Sequence, residues 1–249
     1  MKKRLIQVFI ILLLLVVVGV GFAFFFLGSI VKRGVETVGP RVTKVPVTLD
    51  TATLSLFSGS GELKGLDVAN PQGYKTPSAI KVGTASIVLV PRSIFSEKVV
   101  ARSITLVGPE ITLEGDLTGN NLSQLLANVR SSSSVETKTP GPKDAGGSKN
   151  IQVDDFVMTG AKLHLTTALL GGKETSLAIP DVRLTGLGLG PRGITAAELT
   201  EIVLKEILEK ATQVAAQQLG ARVSDRVKEE AARGAEKLGG QIGDLLKKK

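Results

Sequence analysis

Side chains that could carry out acid–base or metal chemistry are few and scattered along this chain. Its 249 residues include no cysteine and one histidine. Thiol catalysis, disulfides and cysteine–zinc sites are therefore excluded, and a zinc site would need three carboxylates beside the one imidazole. The histidine, His164, lies between Leu163 and Leu165, where alternation puts it on the polar face of a strand. We interpret it as a solvent-facing strand residue rather than a catalytic base.

The remaining candidate motifs fit structural roles better than catalytic ones. The noticeable acid pairs are Asp154–Asp155 and Glu110 with Glu114, and the second pair shares one face of a strand, as solvated charges beside a turn do. Ser60 lies between two glycines but lacks the Gly-x-Ser-x-Gly elbow of a nucleophilic serine. The segment GLGLG at 186–190 resembles a phosphate loop only superficially, because its leucines alternate as in a strand. We predict a protein that is not an enzyme and needs no cofactor or metal.

Most of the formal net charge of +8 comes from the two ends of the chain. Lys2, Lys3, Arg4 and the three lysines at 247–249 are six of the 31 basic residues, which leaves 25 against 23 acidic residues. Anionic lipid head groups are the favoured partner of such basic ends. Aromatic residues make up only 4% of the chain, so a base-stacking surface is poorly supplied and we expect no nucleic-acid partner.

The longest apolar segment of the chain is a run from Leu5 to Leu27, in which Gln7 is the one conventionally polar residue. Its interpretation determines where the rest of the chain lies relative to a membrane. As a helix this run would extend ~35 Å, enough to cross a hydrocarbon core of ~30 Å. It is longer than the apolar region of a signal peptide and ends without a small-x-small cleavage site, which favours an uncleaved anchor. The basic start favours a cytoplasmic N-terminus, although Lys32 and Arg33 follow the run. The bulk of the chain would then face outward, into a periplasm or its equivalent.

Residues 41–113 have the pattern of short strands separated by turns rich in glycine and proline. Apolar residues alternate with Ser, Thr and Lys, which indicates strands with one apolar and one polar face. The turn signals favour an antiparallel, meander-like sheet. Its apolar face would line a concave surface that accommodates lipid, although each residue taken alone is better explained as ordinary core. The candidate lipid-facing residues are Leu54, Leu56, Ile87, Leu89, Ile104, Leu106, Ile111 and Leu113.

Part of the strand pattern recurs later in the chain. Residues 99–113 (VVARSITLVGPEITL) align without gaps with residues 151–165 (IQVDDFVMTGAKLHL), and Gly108 meets Gly160 at a turn. Any two amphipathic hairpins resemble each other to this degree. The alternative is a stacked array, in which each hairpin buries its apolar face by adding to its neighbours.

A long amphipathic helix is predicted at the C-terminus. Thr195 and Glu198 form a capping box, and apolar residues then recur every three or four positions. The larger apolar residues Leu199, Val203 and Ile207 indicate a face that packs either on the sheet or on a partner protein. The later part is basic and alanine-rich, which leaves a membrane surface, solvent and a partner helix as its alternative surroundings.

These patterns divide the chain into five segments. They are a cytoplasmic start and transmembrane anchor at 1–31, a β section at 32–130, a flexible linker at 131–150, a second β section at 151–192, and a C-terminal amphipathic helical segment with a basic tail at 193–249. The predicted fold class is α+β, mainly β. It comprises an N-terminal transmembrane helix, an antiparallel or meander sheet or short β-groove, and a long C-terminal amphipathic helix.

Motifs between residues 58 and 129 occur in an order similar to that of a known family. Asn-Pro-x-Gly-Tyr is followed by an alternating Val/Ile run, a Ser-Ile-Phe-Ser element at 93–96, Gly-Pro-Glu-Ile and Asn-Asn-Leu. In this order the stretch resembles the AsmA-like family of bacterial envelope proteins, which are anchored in the inner membrane. The residues that carry the resemblance include Asn70, Pro71, Gly73, Gly108, Pro109, Glu110, Asn121 and Leu122.

The resemblance implies a single-pass inner-membrane protein with a periplasmic β-rich domain that acts in envelope lipid homeostasis or phospholipid transfer. Its partners would be the membrane and phospholipid. Larger relatives build long apolar β-grooves, whereas about ten strands at ~4.8 Å spacing give only ~50 Å, so this chain would be one module and not a complete bridge. The alternative function is an anchored scaffold or assembly factor that holds a protein partner through its C-terminal helix.

Overall fold

The computed structural model describes residues 2–136, 149–166 and 174–247, and along the two long helices mainly the side chains of 27–43 and 196–221. The helices are α1 (Lys2–Thr43), α2 (Asn121–Glu136) and α3 (Ala196–Lys247). The strands are β1 (Val47–Thr48), β2 (Thr51–Leu54), β3 (Ser60–Ala69), β4 (Ser78–Leu89), β5 (Lys98–Val107), β6 (Glu110–Glu114), β7 (Asn150–Thr159), β8 (Lys162–Thr166), β9 (Glu174–Ala178) and β10 (Val182–Leu187). A 3-10 helix, Pro91–Phe95, links β4 to β5. The chain is thus α+β, mostly sheet, with a long C-terminal helix.

All ten strands belong to one mixed sheet, in which interrupted strands lie end to end. Strands β5 and β6 both pair antiparallel with β4, at Thr84–Val107 and Lys81–Glu110, so the register is the same on both sides of the interruption. Strands β1 and β2, β7 and β8, and β10 and β9 continue one another in the same way. Across the sheet the order is therefore β1–β2, β3, β4, β5–β6, β7–β8 and β9–β10.

The Gly-Pro sequence after β5 is a kink in one long strand and not the turn of a hairpin. The hairpin prediction is therefore wrong, because β6 pairs with β4 and β8 and not with β5. The helix-facing residues are Leu106 before the kink and Ile111 five positions later. Odd spacing would put them on opposite faces of a regular strand. Gly108, at a φ of 61°, turns the strand so that both face the helices.

Glycines occupy the same register position in four neighbouring strand lines, and we call this line the crease. Gly65 lies opposite Gly83, which lies opposite Gly108, which in turn lies beside Gly160. Three of them have φ values of 65°, 61° and 63°. The crease divides the sheet into two parts. The closed half contains β1, β6, β8, β9 and the adjoining parts of β3 and β4 at 66–69 and 78–82; the open half contains β2, β5, β7, β10 and residues 60–64 and 84–89.

The sequence repeat is also the pairing register of the sheet. Val99 pairs with Ile151 and Leu113 with Leu165, so residues 99–113 lie parallel to and in register with residues 151–165. The repeats therefore stack side by side. A wholly antiparallel meander was the expectation, and it fails at this pair. Helix α2 lies in the crossover between β6 and β7, and such a crossover is what joins parallel neighbours.

The helices lie on one face of the sheet and close its core. Helix α2 buries Leu122, Leu125 and Val129 against the closed half, and the end of α1 packs on β1, β2 and α2. Asn120 caps α2, since its Oδ1 accepts the N–H of Ser123 at 2.8 Å. The capping-box prediction for α3 is confirmed. The Thr195 N–H donates to Glu198 Oε2 at 2.7 Å, and the Glu198 N–H donates to Thr195 Oγ1 at 3.1 Å.

The segment predicted as a linker, 131–150, is in part helical. Helix α2 continues to Glu136, and the buried Ser132 Oγ donates to the Val42 carbonyl oxygen at 3.0 Å. Residues 137–148 and the last two lysines of the basic tail lie outside the described residues. Among the described side chains, none of the helices offers a stretch both long and apolar enough to cross a membrane.

Candidate functional site: an apolar trough beside the crease

Directly paired residues point to the same face of a sheet, so the registers define rows of side chains that run across the strands. In the open half, one helix-facing row is Leu54, Gly61, Ile87, Ile104, Phe156 and Leu184, and the next is Ala52, Leu63, Ala85, Leu106, Met158 and Val182. In the closed half, the corresponding row is Val47, Val68, Ile80, Ile111, Leu163 and Leu177.

The rows differ in how far parts of them are covered. In the open half, Phe156, Met158 and Val182 are buried like the core of the closed half, and the uncovered part lies nearer β2. Ile111 and Leu163, under α2, are 0% exposed. Leu54, Ile87 and Ile104 are only half-buried, because α1 lies along the β2 edge and α3 along the side of β7 and β10. The half-buried floor between these two helices forms an apolar depression that we call the trough.

The inner end of the trough is an apolar cavity of about 210 Å³ beneath α3, and it straddles the crease. Leu66, Val68, Ile80 and Val82 of the closed half line it together with residues of the open half. Its sheet wall includes Ile104 and Leu106, and its helix wall includes Leu199, Val203 and Ile207. Two groups of residues singled out separately in the sequence, on strands and on the C-terminal helix, therefore meet at one site. The helix residues face the sheet, which is the first of the two alternatives that their pattern left open.

The outer end of the trough is an open cleft of about 680 Å³ between α1 and the β2–β3 hairpin. It is lined by Gly28 and by residues 52–55 and 60–62. Helix and strand approach so closely here that a Cβ added at Gly28 would collide with the carbonyl oxygen of Ala52. The cleft is more polar than the inner cavity, since Ser55, Ser60 and Glu62 contribute to its wall.

The structure separates the candidate lipid-facing residues into two classes. Ile111 and Leu113 are 0% exposed in the closed half, which corrects their assignment to an accessible concave face. Ile104 and Leu106 line the cavity. Leu54, Leu56, Ile87 and Leu89 are half-buried in the open half. The pattern of alternation is the same in both classes, and the position of the helices over the sheet distinguishes them.

The motif residues that carry the family resemblance meet at the far end of the closed half. Asn121, fully buried at the start of α2, donates from Nδ2 to Asn70 Oδ1 at 2.7 Å and to the Thr112 carbonyl at 2.8 Å. Its Oδ1 accepts the Glu114 N–H at 2.9 Å. Asn70 in turn donates to Thr76 Oγ1 at 2.6 Å. This network ties the β3–β4 loop, β6 and α2 together, so it stabilises the fold beside the trough rather than lining it.

The other motif residues also have structural roles. Pro71 and Leu122 are buried, and Gly73 has a φ of 99° in the β3–β4 loop. Gly108 belongs to the crease, and the carbonyl oxygen of the buried Pro109 accepts the Lys162 N–H at 2.9 Å.

The carboxylate of Glu114 accepts the N–H groups of Lys75 and Thr76 at 2.6 and 2.8 Å and the Thr76 hydroxyl at 2.6 Å. Burial acts to raise the pKa of Glu114, but these hydrogen bonds and the Lys75 charge outweigh it and lower the pKa below its ordinary value. Burial, together with the Glu114 charge, raises the pKa of Tyr74.

The histidine and the acid pairs singled out in the sequence do not line the trough, whereas Ser60 and Glu62 border its outer cleft. His164 is partly exposed on the outer face, in register with Thr112 and Ser176, and its Nε2 lies 3.9 Å from Glu110 Oε2. Among the described residues, no group of three or more His, Asp or Glu side chains could hold a metal ion.

The remaining acid and glycine candidates are also accounted for. Asp155 pairs with Arg183 through two hydrogen bonds of 2.8 and 3.0 Å, and this pairing raises the pKa of Arg183. Gln152 Nε2 donates to Asp154 Oδ1 at 2.7 Å. Ser60 Oγ lies 2.6 Å from a neighbouring serine hydroxyl, and Gly188 has a φ of 71° where the chain passes close to β7.

Several cavity residues were missed in the sequence. Leu66, Val82 and Leu125 line it although they belong to three different elements, and no local pattern connects them. Phe156 was detectable, because it aligns with Ile104 in the repeat and pairs with that residue in the sheet. Comparison with protein-family models, with curated proteins and with solved structures finds no match to this chain.

Proposed function

We propose that this chain is a membrane-anchored, non-enzymatic AsmA-like protein whose trough accommodates lipid acyl chains in envelope lipid homeostasis or phospholipid transfer. The observation that carries the proposal is the half-buried apolar floor of the open half, which leads into the cavity lined by Ile104, Leu106 and Val203. An apolar surface left partly open inside a folded domain is costly in water and is typical of a binding surface.

The size of the cavity limits what it holds. Its volume of about 210 Å³ is smaller than that of most small-molecule sites, which are ~300–1,000 Å³. A stretch of one acyl chain fits this space, whereas a whole phospholipid does not. The head group would therefore stay outside, toward the more polar cleft between α1 and the β2–β3 hairpin.

The anchor is part of the same proposal. The run from Leu5 to Leu27 lies within α1, and the large side chains described there, such as Phe9 and Leu14, are 70% and 62% exposed. Apolar side chains directed away from the domain on a long helix are suited to a hydrocarbon environment. We place the N-terminus in the cytoplasm and the sheet in the periplasm, on the inner membrane.

Crosslinking from within the trough tests the proposal directly. A photoreactive diazirine amino acid is introduced at Ile104 in the full-length protein, expressed in a bacterial envelope and irradiated. We expect a phospholipid adduct, identified by mass spectrometry of the crosslinked peptide. Leu163, which is 0% exposed in the closed half, is the matched control and should yield only crosslinks within the chain.

Two outcomes would count against a lipid role. One is a folded protein with no lipid adduct at Ile104, and the other is equal lipid adducts at Ile104 and Leu163. The scaffold alternative makes a different prediction. Leu199 and Val203 face the cavity, so a partner on α3 would have to contact its other side, where Ile202 is 37% exposed. A protein adduct from Ile202, without a lipid adduct from Ile104, would favour the scaffold.

A further inference from the structure

Large apolar side chains are exposed together at the open-half end of the sheet. Phe57 lies in the loop between β2 and β3, Phe95 ends the 3-10 helix after β4, and Leu189 follows β10; they are 82%, 80% and 65% exposed. Hydrogen bonds connect these loops to the adjoining strands. The Leu89 N–H donates to the Gly59 carbonyl at 2.8 Å, and Lys98 Nζ donates to the Gly190 carbonyl at 3.3 Å. We call Phe57, Phe95 and Leu189 the rim.

Helix α1 leaves the domain at this same end. Along its C-terminal part, Gly39 lies against Val47, the Glu36 carboxylate accepts the Leu49 N–H at 3.2 Å, and Lys32 Nζ donates to the Asp50 carbonyl at 3.1 Å. Residue numbers fall along the helix while they rise along the strand, so α1 is antiparallel to β1–β2.

The antiparallel contact continues to Gly28, which lies beside Ala52 near the end of β2. The apolar run at 5–27 therefore continues past the last residues of β2 and the loop that carries Phe57. In contrast, the β3–β4 loop, with the exposed Gln72, lies at the opposite end of the sheet.

The charges at this end match an anionic lipid surface. Arg92, Lys149 and Arg192 are exposed in the loops beside the rim, against one exposed acid, Glu97, among the described residues of these loops. Basic residues next to exposed aromatic and aliphatic side chains are the composition that binds membrane interfaces, where the apolar groups enter the acyl boundary and the cations meet phosphate.

We infer that the rim is a second membrane-contact site, which inserts Phe57, Phe95 and Leu189 into the interface of the bilayer that holds α1. The inference rests on the anchor of the proposed function. Contact of the rim with the bilayer would orient the outer end of the trough toward the lipid head groups. An acyl chain could then enter the trough from the bilayer without crossing water.

The test uses full-length protein reconstituted in vesicles of phosphatidylcholine and phosphatidylglycerol. Because the chain has no cysteine, single variants can be labelled with an environment-sensitive fluorophore. Ser96→Cys reports on the rim, Gln72→Cys on the opposite end of the sheet and Leu14→Cys on the anchor. Lipids carrying a nitroxide near the glycerol should quench Ser96→Cys several-fold more strongly than Gln72→Cys. Lipids carrying it near the end of the acyl chain should quench Leu14→Cys.

A charge on the rim sharpens the test. Adding Phe57→Asp and Phe95→Asp to the Ser96→Cys protein should reduce quenching to the level of Gln72→Cys. Val107→Asp, which alters an apolar residue that is 60% exposed away from the rim, should leave it unchanged.

The outcomes separate the inference from the anchor. If Leu14→Cys is quenched but Ser96→Cys is no more quenched than Gln72→Cys, the anchor stands and the rim contact is wrong. If Ser96→Cys is quenched and Leu14→Cys is not, the rim contacts a membrane, but the anchor fails and with it the inference that one bilayer holds both. If neither is quenched, both fail.

Discussion

The two halves of the sheet are made of the same strand lines and yet differ in what covers them. In the closed half, Ile111 and Leu163 are fully buried beneath α2. Across the crease, Ile87 and Ile104 point to the same face and are half-buried. The difference is local, since Phe156 and Met158 of the open half are buried and Ile80 of the closed half is half-buried. It follows the position of the helices, and the 16-residue α2 packs against β6, where Ile111 lies.

This difference shows what alternation in a sequence specifies. Apolar residues with a period of two identify the face of a strand that avoids water, but they do not identify what lies over it. A core and a lipid-binding surface have the same pattern. Tertiary packing decides what covers the face. Here these features are the capped start of α2 at Asn120 and the position of α3 beside the crease.

Truncation of a leucine in each half should give the largest contrast. Leu163→Ala leaves a cavity in a fully buried site and should lower the free energy of unfolding by about 2–5 kcal/mol. Leu106→Ala removes a half-buried side chain that already borders a cavity, and should cost about 1 kcal/mol. Urea unfolding of the full-length protein in detergent measures both. Equal losses would show that the open half is as tightly packed as the closed half.

Alanine substitutions at two crease glycines should change the free energy of unfolding by smaller amounts and in opposite directions. A Cβ added at Gly108 or at Gly83 meets no atom within 4 Å, so neither substitution causes a steric clash. The two sites differ in their backbone angle φ. Gly108 has a φ of 61°, and Gly108→Ala should destabilise the protein by about 1–2 kcal/mol. Gly83 is not among the glycines with positive φ, and Gly83→Ala should stabilise it by about 0.5 kcal/mol. Thermal unfolding distinguishes them.

If Gly108→Ala left the stability unchanged, the crease would not depend on a residue with positive φ between β5 and β6. The boundary between the closed and open halves would then be set by the helices alone. Gly160→Ala offers an independent check, since its φ of 63° is similar and it lies beside Gly108.

Much of the architecture was predictable from the sequence, for identifiable reasons. The strands followed from alternation, α3 from its capping box, and the side-by-side stacking from the gapless repeat of 99–113 at 151–165. These are local or self-similar signals. Gly108 and Pro109 are also local, but a kink and a turn share the same residues, because both need a positive φ and an interruption of pairing.

The composition of the site was less predictable. The cavity joins Leu66, Leu125 and Val203, which lie on separate elements, and their meeting depends on how α2 and α3 cross the sheet. The Asn70–Asn121 hydrogen bond joins residues 51 positions apart. Contacts between residues so far apart leave no periodic pattern in a single sequence. The rim residue Phe95 was visible in the sequence only as an apolar residue in a loop.

The smallest expected effect concerns acid, and it should act on the closed half alone. The pKa of Glu114 is lowered in the folded protein, so the unfolded chain binds its proton more readily. The stabilisation is therefore present above the unfolded pKa of about 4.3 and is lost as the pH falls through the lower folded value.

Hydrogen-exchange protection of the Lys75 and Thr76 amides, which donate to this carboxylate, should fall at about pH 3 relative to pH 6. In the open half, the Val100 amide donates to the Ser93 hydroxyl at 2.9 Å and should keep its protection. Glu114→Gln should remove the pH dependence at Lys75 and Thr76; an unchanged dependence would assign the acid sensitivity to another group and leave the closed half without this electrostatic distinction.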